Sequence, residues 1–310
     1  MEKVSNTKKY DVFVIADLCI DLLFTGKVRP QYGQAEQLVE DYTVDLGGSA
    51  AIFASQFTKL GGNVGFLASV GDDLFGKMLL EKIQSIGIST EFITVNKSGK
   101  TAVGLGLSDG HDRAMLTYAG TMFDIEPQHI TSELINQTRH WHIAGYYLLP
   151  QLWDFWPNFL QKIHYQGITV SLDTNWSPGG NWEQVRKILH HVNVFLPNEE
   201  EAKHISGKEN LEEAGNWLAQ HCGLVVVKCG ADGAMVFQKN QMRTFGIPVD
   251  LTENLVIADT TGAGDNFDAG FISAWLSGNS LDHCIHLGMQ CGTGSLRAIG
   301  GIAGQVYQVM

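Results

Sequence analysis

The sequence has no run of basic residues, and this absence argues against one large class of functions. Its 310 residues carry 21 Lys and Arg against 33 Asp and Glu, which gives a formal net charge of −12. Proteins that bind nucleic acid use clusters of Lys and Arg to neutralise phosphates. We therefore expect no nucleic-acid partner. Any phosphate bound by this chain must be held by backbone amides, a few cations and a metal.

Cysteine is scarce, and long apolar stretches are missing. The five cysteines are scattered without a CxxC pair, so neither a disulfide framework nor a structural zinc site is expected. No apolar stretch approaches the roughly 20 residues that a membrane-spanning helix needs, and no signal peptide is recognisable. These absences predict a cytoplasmic protein with free thiols and no membrane partner.

The apolar runs that are present predict an α/β fold. Five short runs indicate buried strands, at 12–16, 64–70, 168–172, 192–196 and 224–228. Helical segments are expected at about 49–60, 75–86, 182–190 and 211–221, with two more at about 264–276 and 281–298. Strands that alternate with helices predict a parallel sheet covered by helices on both faces. The whole chain, 1–310, is expected to form one domain.

Two segments break this alternation. Residues 22–45 are polar with scattered β-formers, and residues 101–118 alternate around a turn at Ser108-Asp-Gly-His. The second segment is typical of a β-hairpin. Together, at about 22–45 and 100–119, they predict a small β-sheet inserted into the domain. Such a sheet would serve as a lid or as a surface that pairs two chains.

A glycine-rich turn gives the strongest indication of chemistry. The segment Asp259-Thr-Thr-Gly-Ala-Gly-Asp265 follows an apolar run, 255–258, interpreted as a short strand, and it leads into a helix. Gly262, Ala263 and Gly264 leave backbone N–H groups accessible at a helix start, where donors are unpaired. Such a turn binds anions, above all phosphate. Asp265 beside it is either a helix cap or the base for an attacking hydroxyl.

These motifs, in this order, resemble the ribokinase family of PfkB-type carbohydrate kinases. The resemblance runs from about Asp11 to Gly304. Besides the DTTGAGD turn, it is carried by Gly47-Gly-Ser-Ala-Ala, by Leu60-Gly-Gly and by Val70-Gly-Asp-Asp-Leu-Phe-Gly. It implies a doubly wound α/β/α domain of the ribokinase type with a β-sheet lid. It also implies an ATP-dependent kinase that phosphorylates a hydroxyl of a small sugar or related polyol.

The resemblance assigns roles around the transferred phosphate. Asp265 would be the catalytic base, and the amides of Gly262, Ala263 and Gly264 would stabilise the charge that builds on the phosphoryl group. Asn198-Glu-Glu-Glu201 matches the family's N-x-x-E motif. There the glutamate, here Glu201, helps to hold Mg²⁺ through water. The alternative is an ordinary helix N-terminus enriched in acidic residues.

A second glycine turn completes the nucleotide side. Lys228-Cys-Gly230-Ala-Asp-Gly233 resembles the family's K-x-G-x-x-G motif, whose turn lies along the phosphates and ribose of the nucleotide. The alternative is a plain strand–turn–strand segment with Lys228 as a surface charge. Asp259 and Thr261 match positions that help relatives to bind a monovalent cation, usually potassium. The expected cofactors are therefore ATP and Mg²⁺, with K⁺ as a further ion.

The acceptor is expected to bind at the end of the first strand. Asp17 and Asp21 follow that strand at the carboxyl edge of the sheet, where α/β proteins bind ligands. Both carboxylates can accept hydrogen bonds from sugar hydroxyls, and Asp21 matches the family's substrate aspartate. Gly47 and Gly48 would let hydroxyls approach the backbone. By the same resemblance Asn175, in a D-x-N element, is expected to contact the acceptor or the phosphate.

Departures from the family pattern leave the substrate open. Ile52 stands where relatives usually have an Asn that contacts the sugar, and Gln290-Cys-Gly stands where relatives often have Asn-Ala. A nucleoside kinase of the same fold and a non-catalytic sugar-binding regulator remain alternatives. A free sugar, of the fructose, ribose or sugar-acid type, is preferred to a phosphorylated sugar because only Lys27 and Arg29 lie nearby. The lid would also allow a homodimer.

Overall fold

Two β-sheets organise the chain. The computed structural model describes residues 8–109, 113–239 and 241–308. Its strands are β1 (Val12–Ile15), β2 (Cys19–Thr25), β3 (Asp41–Gly47), β4 (Val64–Gly71), β5 (Ile93–Asn96), β6 (Val103–Ser108), β7 (Arg113–Tyr118), β8 (His140–Ile143), β9 (Thr169–Leu172), β10 (Val194–Phe195), β11 (Leu224–Lys228), β12 (Ala234–Gln238) and β13 (Gln241–Phe245).

The larger sheet is mostly parallel. Its nine strands run in the order β13-β12-β11-β10-β9-β8-β1-β4-β5, and only β12 and β13 at one edge are antiparallel. The carboxyl ends of β1, β8, β9, β10 and β11 therefore meet at one edge. Because ligands of doubly wound α/β proteins bind beyond this edge, the loops that follow these strands are the ones that can build a site.

Helices connect the strands. They are α1 (Ser49–Lys59), α2 (Leu74–Ile86), α3 (Ser132–Gln137), α4 (Trp156–Tyr165), α5 (Glu199–Ser206), α6 (Leu211–Ala219), α7 (Val249–Thr252), α8 (Ala263–Leu276) and α9 (Leu281–Ser295). None of the helices in the described ranges is both long and apolar enough to cross a membrane.

The larger sheet is buried on both faces. Its strands alternate their side chains between two apolar clusters, so that Phe13 and Ile15 of β1 lie in one cluster, whereas Val12 and Val14 lie in the other. All four side chains are fully or almost fully buried. This double burial explains why the strands are near-continuous apolar runs in the sequence. It confirms the predicted parallel sheet with helices on both faces.

The second sheet has four strands in the order β3-β2-β6-β7. It is built from the two segments that were expected to form an inserted β-sheet, although its first strand already begins at Cys19, three residues before the predicted start. We call this sheet the lid. Of the predicted turn at 108–111, residues 110 and 111 lie outside the described residues.

The segment 182–190, expected to be helical, consists of two short 3₁₀ helices, Trp182–Lys187 and Leu189–His191, and not of one α-helix. One predicted strand was wrong. The run 255–258 before the glycine turn is not a strand. Its Val256 and Ile257 side chains are 78% and 59% exposed. An apolar run becomes a buried strand only where a neighbouring strand and a covering layer accept it, and this run lies on the surface.

Candidate functional site

The glycine turn forms the N-terminus of α8. Gly262 is the N-cap, with φ 72°, and the helix begins at Ala263. This left-handed conformation favours glycine. No described side chain caps this helix end, so N–H groups of its first turn can bind an anion, although the Ala263 N–H already donates to the Thr260 carbonyl oxygen (3.4 Å). Asp265 lies in the first turn and is not the N-cap, which removes the simplest structural alternative for its carboxylate.

One cavity of about 720 Å³ collects most of the predicted site residues. The cavity is lined by residues expected on the acceptor side and by residues expected on the nucleotide side: Asp17, Asp21, Gly48, Asn175, Asn198, Glu201, Lys228, Gly230 and all residues from Thr261 to Asp265. Three predicted residues, Gly47, Gly233 and Asp259, do not line it. The motifs that are far apart in the sequence therefore meet at the carboxyl edge of the larger sheet.

Asp265 lies in an environment that favours its protonated form. Its side chain is buried, and burial is the main cause that raises the pKa of its carboxyl well above the ordinary value, with a further contribution from the negative charge of Asp173. The Lys228 ammonium acts in the opposite direction. A carboxylate whose pKa is raised in this way is better able to accept a proton than an exposed one.

A buried ion cluster lies behind the turn. The Lys228 Nζ is 2.7 Å from Asp173 Oδ2 and 3.0 Å from Asp268 Oδ2. Burial alone would lower the pKa of Lys228, but these two acids raise it overall. Burial also opposes ionisation of Asp173, but the charge of Lys228, together with hydrogen bonds to Lys228, Asp268 and the Asn175 N–H, lowers the pKa of Asp173 overall. The interpretation of Lys228 as a surface charge is therefore wrong.

Sequence reasoning did not include Asp173 or Asp268 among the site residues. Asp173 opens the D-x-N element, so a signal was present. Asp268 lies three residues after Asp265 on α8, a spacing that brings both carboxyls to one face of the helix. A buried ammonium is costly unless acidic partners offset its charge. The need for such partners can be inferred only once Lys228 is known to be buried.

Asn198 and Glu201 form a reciprocal cap at the start of α5. The Glu201 N–H donates to Asn198 Oδ1 (2.8 Å), and the Asn198 N–H donates to Glu201 Oε2 (2.9 Å). Glu201 is only 4% exposed, and burial, followed by repulsion from Asp173, raises its pKa to about 7. The alternative interpretation of Asn198–Glu201, an ordinary acidic helix N-terminus, therefore describes part of what Glu201 does, because the same side chain caps α5 and lines the cavity.

The two acceptor-side aspartates are used differently. Asp17 accepts hydrogen bonds from the N–H groups of Ser49 (3.0 Å) and Ala50 (2.9 Å), so its carboxylate caps α1 while it lines the cavity. Its pKa is raised, mainly by burial. Asp21 is also buried. A Cβ on Gly47 would lie 2.2 Å from Asp21 Cγ, so Gly47 makes room for that carboxyl.

Three other predicted glycines are explained by different local requirements. Gly48 has φ 96°, and a Cβ there would lie 2.1 Å from the Asp17 carbonyl oxygen. Gly233 has φ 90°, and its Cβ would lie 2.0 Å from the Phe245 carbonyl oxygen. Close backbone packing therefore requires both glycines. Gly230 lines the cavity, and no atom lies within 4 Å of the position of its Cβ, so a ligand can approach it.

Asn175 connects three parts of the acceptor side. It has φ 59°, its Oδ1 accepts from the Gly145 N–H (2.8 Å), and its Nδ2 donates to Ser49 Oγ (2.6 Å). It therefore joins the loop after β8 to the start of α1. Both of its side-chain polar atoms have protein partners, so Asn175 orients the acceptor side as well as lining it.

Asp259 holds the start of the glycine turn. Its Oδ1 accepts from the Thr261 N–H (3.1 Å) and Oγ1 (3.0 Å), and its Oδ2 accepts from the Gly300 N–H (2.9 Å). It lies beside the cavity, not on it. In the described part of the chain, no group of three or more His, Cys, Asp or Glu side chains is suited to hold a metal ion. A bound Mg²⁺ would therefore depend on ligand phosphates and water.

The charges that line the cavity are strongly unbalanced. Its described lining has five carboxyl groups, one ammonium and no other cationic side chain: Asp17, Asp21, Asp173, Glu201 and Asp265 against Lys228. The single ammonium of this described lining is already bound by two acids.

Part of the cavity wall is apolar. Met115 of the lid, Met122, Leu148 and Ile52 line it, and Trp176 lies at the same cavity with 57% of its surface exposed. Ile52 is itself buried. Its Cγ2 lies 3.0 Å from the position of a Cβ on Gly262. The residue that replaces the family's usual Asn thus packs against the anion-binding turn.

Comparison with known proteins gives one family. A model of the pfkB family of carbohydrate kinases matches residues 9–306. Among curated proteins, the ATP-dependent 6-phosphofructokinase of Thermoanaerobacterium thermosaccharolyticum is 27% identical over 96% of this chain and 92% of its own.

Solved structures have the same fold. The adenosine kinase of Sinorhizobium meliloti aligns with a TM-score of 0.81 and 22% identity, over 94% of this chain and 95% of that one. A ribokinase II of E. coli, in complex with ATP and Mg²⁺, aligns with a TM-score of 0.81 and 21% identity, over 96% of each chain. At these identities the similarity shows the ribokinase fold and confirms the expected fold class.

Proposed function

Because the chain belongs to the pfkB family of carbohydrate kinases, we propose that it transfers the γ-phosphate of ATP to a hydroxyl of a small, uncharged sugar or polyol. The observation that carries this proposal is the cavity in which Asp265, the uncapped start of α8 and the acceptor-side carboxylates of Asp17 and Asp21 meet.

The positions of these groups support the following course for the proposed reaction. The acceptor hydroxyl gives its proton to the Asp265 carboxylate as its oxygen attacks the γ-phosphorus, and the bond from that phosphorus to the ADP oxygen breaks. The N–H groups of Gly262, Ala263 and Gly264 stabilise the charge on the transferred group. The raised pKa of Asp265 supports its role as proton acceptor.

The nucleotide is proposed to lie along the glycine turns, with Gly230 and Thr261 beside its phosphates. Glu201 is the described residue best suited to help hold Mg²⁺, which when bound offsets the charge of the phosphates. Lys228 acts indirectly, through Asp173 and Asp268, and not as a free phosphate ligand. Asn198 contributes by capping α5. We also propose K⁺ near Asp259 and Thr261, a site to be tested by exchanging K⁺ for a larger monovalent cation in the assay.

The absence of a free cation in the described cavity lining supports an uncharged acceptor. Sugar phosphates and sugar acids carry a group that needs Arg or Lys close by. Lys228 is committed to two acids, and five carboxyl groups share the cavity. Within the described lining, no Arg or Lys side chain is therefore left to pair with a second anionic group on the acceptor. This separates the proposed substrate from that of the 6-phosphofructokinase relative.

A nucleoside is the second candidate, and one observation favours it. The wall made by Met115, Met122 and Leu148, with Trp176 at the same cavity, could cover the apolar face of a base. Sequence alone could not locate such a wall. A nucleoside is also uncharged, so it satisfies the charge argument equally well.

A coupled ADP-release assay distinguishes these acceptors. The protein is supplied with ATP, Mg²⁺ and K⁺ and a panel of neutral sugars, sugar acids, sugar phosphates and nucleosides. Turnover with neutral sugars alone supports the main proposal, whereas turnover with nucleosides selects the second candidate. Preference for a sugar phosphate or a sugar acid would refute the charge argument. A folded, ATP-binding protein with a flat panel would point to a sugar-binding regulator.

We further propose that the lid covers the acceptor and that its outer face pairs two chains. Asp21, Gly104 and Met115 line the cavity, so the residues that follow them on their strands point outward. These neighbours include Leu22, Leu105 and Leu116, which stand side by side across β2, β6 and β7, and Leu116 is 63% exposed. An apolar sheet face of this kind is a common protein–protein interface.

Light scattering tests the pairing. We expect a dimer for the wild type and a monomer for Leu116→Glu, while Leu74→Glu on the exposed start of α2 should leave the mass unchanged. A monomeric wild type at working concentration would reject the pairing but not the kinase activity. All five cysteines are free thiols, which supports the proposed cytoplasmic location.

A further inference from the structure

A buried chain of side-chain amides links the anion-binding turn to the rest of the protein. Asn266, the residue after the proposed base, has no exposed surface. Its Nδ2 donates to the carbonyl oxygens of Gly262 (2.8 Å) and Gly301 (2.9 Å). The Gly262 carbonyl also accepts from the Asn266 backbone N–H (2.9 Å). Asn266 thus ties the glycine at the start of α8 to the segment that follows α9.

Gln305 continues this chain to α1. It is 6% exposed, and its Nε2 donates to Asn266 Oδ1 (2.7 Å) and to the Ile52 carbonyl oxygen (3.0 Å). Its Oε1 accepts from Ser55 Oγ (2.6 Å). Every polar atom of this side chain that can make a hydrogen bond therefore has a buried partner. A fully satisfied polar chain in an apolar interior is rigid, because each broken bond leaves a buried group unpaired.

The two ends of the chain lie on opposite sides of the proposed reaction. On α8, Gly262 belongs to the turn that would hold the transferred phosphate. On α1, Ser49 and Ile52 line the acceptor side of the same cavity. The Ile52 side chain also packs against Gly262 and Gly301. The distance between the phosphate site and the acceptor site is therefore set through these contacts.

We propose that Asn266 and Gln305 are positioning residues that hold the anion-binding turn in register with the acceptor-side helix. This inference rests on the proposed function for its kinetic consequence, since phosphoryl transfer depends on alignment of the donor and acceptor. Neither residue contacts the reacting atoms. Their loss should slow the chemical step more than it weakens binding of either substrate.

Gln56 provides a matched control. It is a buried glutamine on α1 that fastens the same C-terminal segment, since its Nε2 donates to the Val306 carbonyl (2.7 Å) and its Oε1 accepts from the Val306 N–H (3.0 Å). No hydrogen bond to α8 is described for it. Gln56→Ala and Gln305→Ala should therefore both destabilise the docking of the segment, but only Gln305→Ala breaks the link to the turn.

The experiment combines steady-state kinetics with amide hydrogen exchange. For Gln305→Ala we expect kcat to fall by roughly 10- to 100-fold with KM for ATP and acceptor nearly unchanged. We expect exchange to be about tenfold or more faster in the peptide that covers 262–267. Gln56→Ala should keep kcat and the exchange of this peptide close to wild type. If Gln305→Ala does not fold, Asn266→Ala gives the same readouts, because it removes the side-chain bonds to Gly262, Gly301 and Gln305 and leaves the bonds from Gln305 to α1 in place.

The proposal is overturned if Gln305→Ala and Gln56→Ala change kcat and exchange equally. Weaker docking of the C-terminal segment would then explain both effects, without any role for the link from Gln305 to the turn. It is also overturned if both Gln305→Ala and Asn266→Ala keep wild-type exchange at the start of α8. The exchange measurement needs no substrate. If the wild type phosphorylates nothing, the proposed function fails, while the positioning role is still decided.

Discussion

Replacing Asp265 by Asn tests the proposed chemistry most directly. The change keeps the size of the side chain and the uncapped start of α8, so the anion-binding turn should remain intact. It removes the carboxylate that is proposed to take the acceptor proton, because an amide is not a base at neutral pH. A positioned general base contributes roughly 10²- to 10⁴-fold to rate, which corresponds to about 3 to 5 kcal/mol of activation free energy.

The same substitution should stabilise the protein. Burial and the charge of Asp173 raise the pKa of the Asp265 carboxyl, so the folded pKa lies above the unfolded one. Its contribution to stability is complete below the unfolded value of ~4 and is lost as pH rises through the folded pKa. Asn cannot ionise. The variant should therefore have a higher Tm than the wild type at neutral pH, and the difference should vanish in acid.

The assay measures kcat by ADP release, ATP affinity by calorimetry, and Tm between pH 4 and 8. Asp282→Asn provides the control, because it makes the same change in the first turn of α9 at an exposed ion pair with Arg243. The reasoning is refuted if Asp265→Asn keeps kcat within about tenfold of wild type, below the range for loss of a general base. A fall in ATP affinity as large as the fall in kcat would assign Asp265 to binding instead.

Three further substitutions test the surroundings of the site. Gly48→Ala should cost at least about 2 kcal/mol of unfolding free energy, measured by denaturant titration, because φ is 96° and the new Cβ would meet the Asp17 carbonyl oxygen; unchanged stability would contradict the described backbone. The pKa of Glu201 is raised to about 7, first by burial, so the apparent affinity for Mg²⁺ should rise between pH 6 and 8 as its proton leaves, and Glu201→Gln should flatten this dependence. An equally steep profile in the variant would exclude Glu201 from metal binding. Ile52→Asn should lower stability by roughly 1 to 3 kcal/mol, since it places an amide against Gly262, and tighter acceptor binding in the variant would show that the family's usual contact had been restored.

Local backbone requirements explain why the glycine turn before α8 and the cap of α5 could be predicted from sequence. Gly262 is needed because its φ is positive at a helix start, and the residues that satisfy this need are its chain neighbours. The cap formed by Asn198 and Glu201 is equally local, since its partners are three residues apart. Features of this kind depend on residues that are close together in the sequence, and for this reason both were recognised. Their roles in catalysis stay predictions.

Errors arose where a residue's environment is supplied by distant parts of the chain. The packing of Gly47 against the carboxyl of Asp21, on the neighbouring strand, was not predicted. Lys228 was left open as a surface charge, but its acidic partners lie 55 and 40 residues away. The exposed run at 255–258 was predicted as a strand because its composition is apolar, and no pattern within it indicates whether a sheet is available to accept it.

By itself, the sequence determined the α/β class, the order of the motifs, the family and the turn that begins α8, because these depend on periodicity and on backbone conformations that only certain residues adopt. Only the tertiary structure decided which carboxylates share Lys228, which part of the cavity wall is apolar, and how Gln305 joins α1 to the anion-binding turn across 250 residues of chain. The physical reason is that desolvation and buried hydrogen bonding depend on which groups surround an atom. Those groups are brought together by folding and not by their order in the chain.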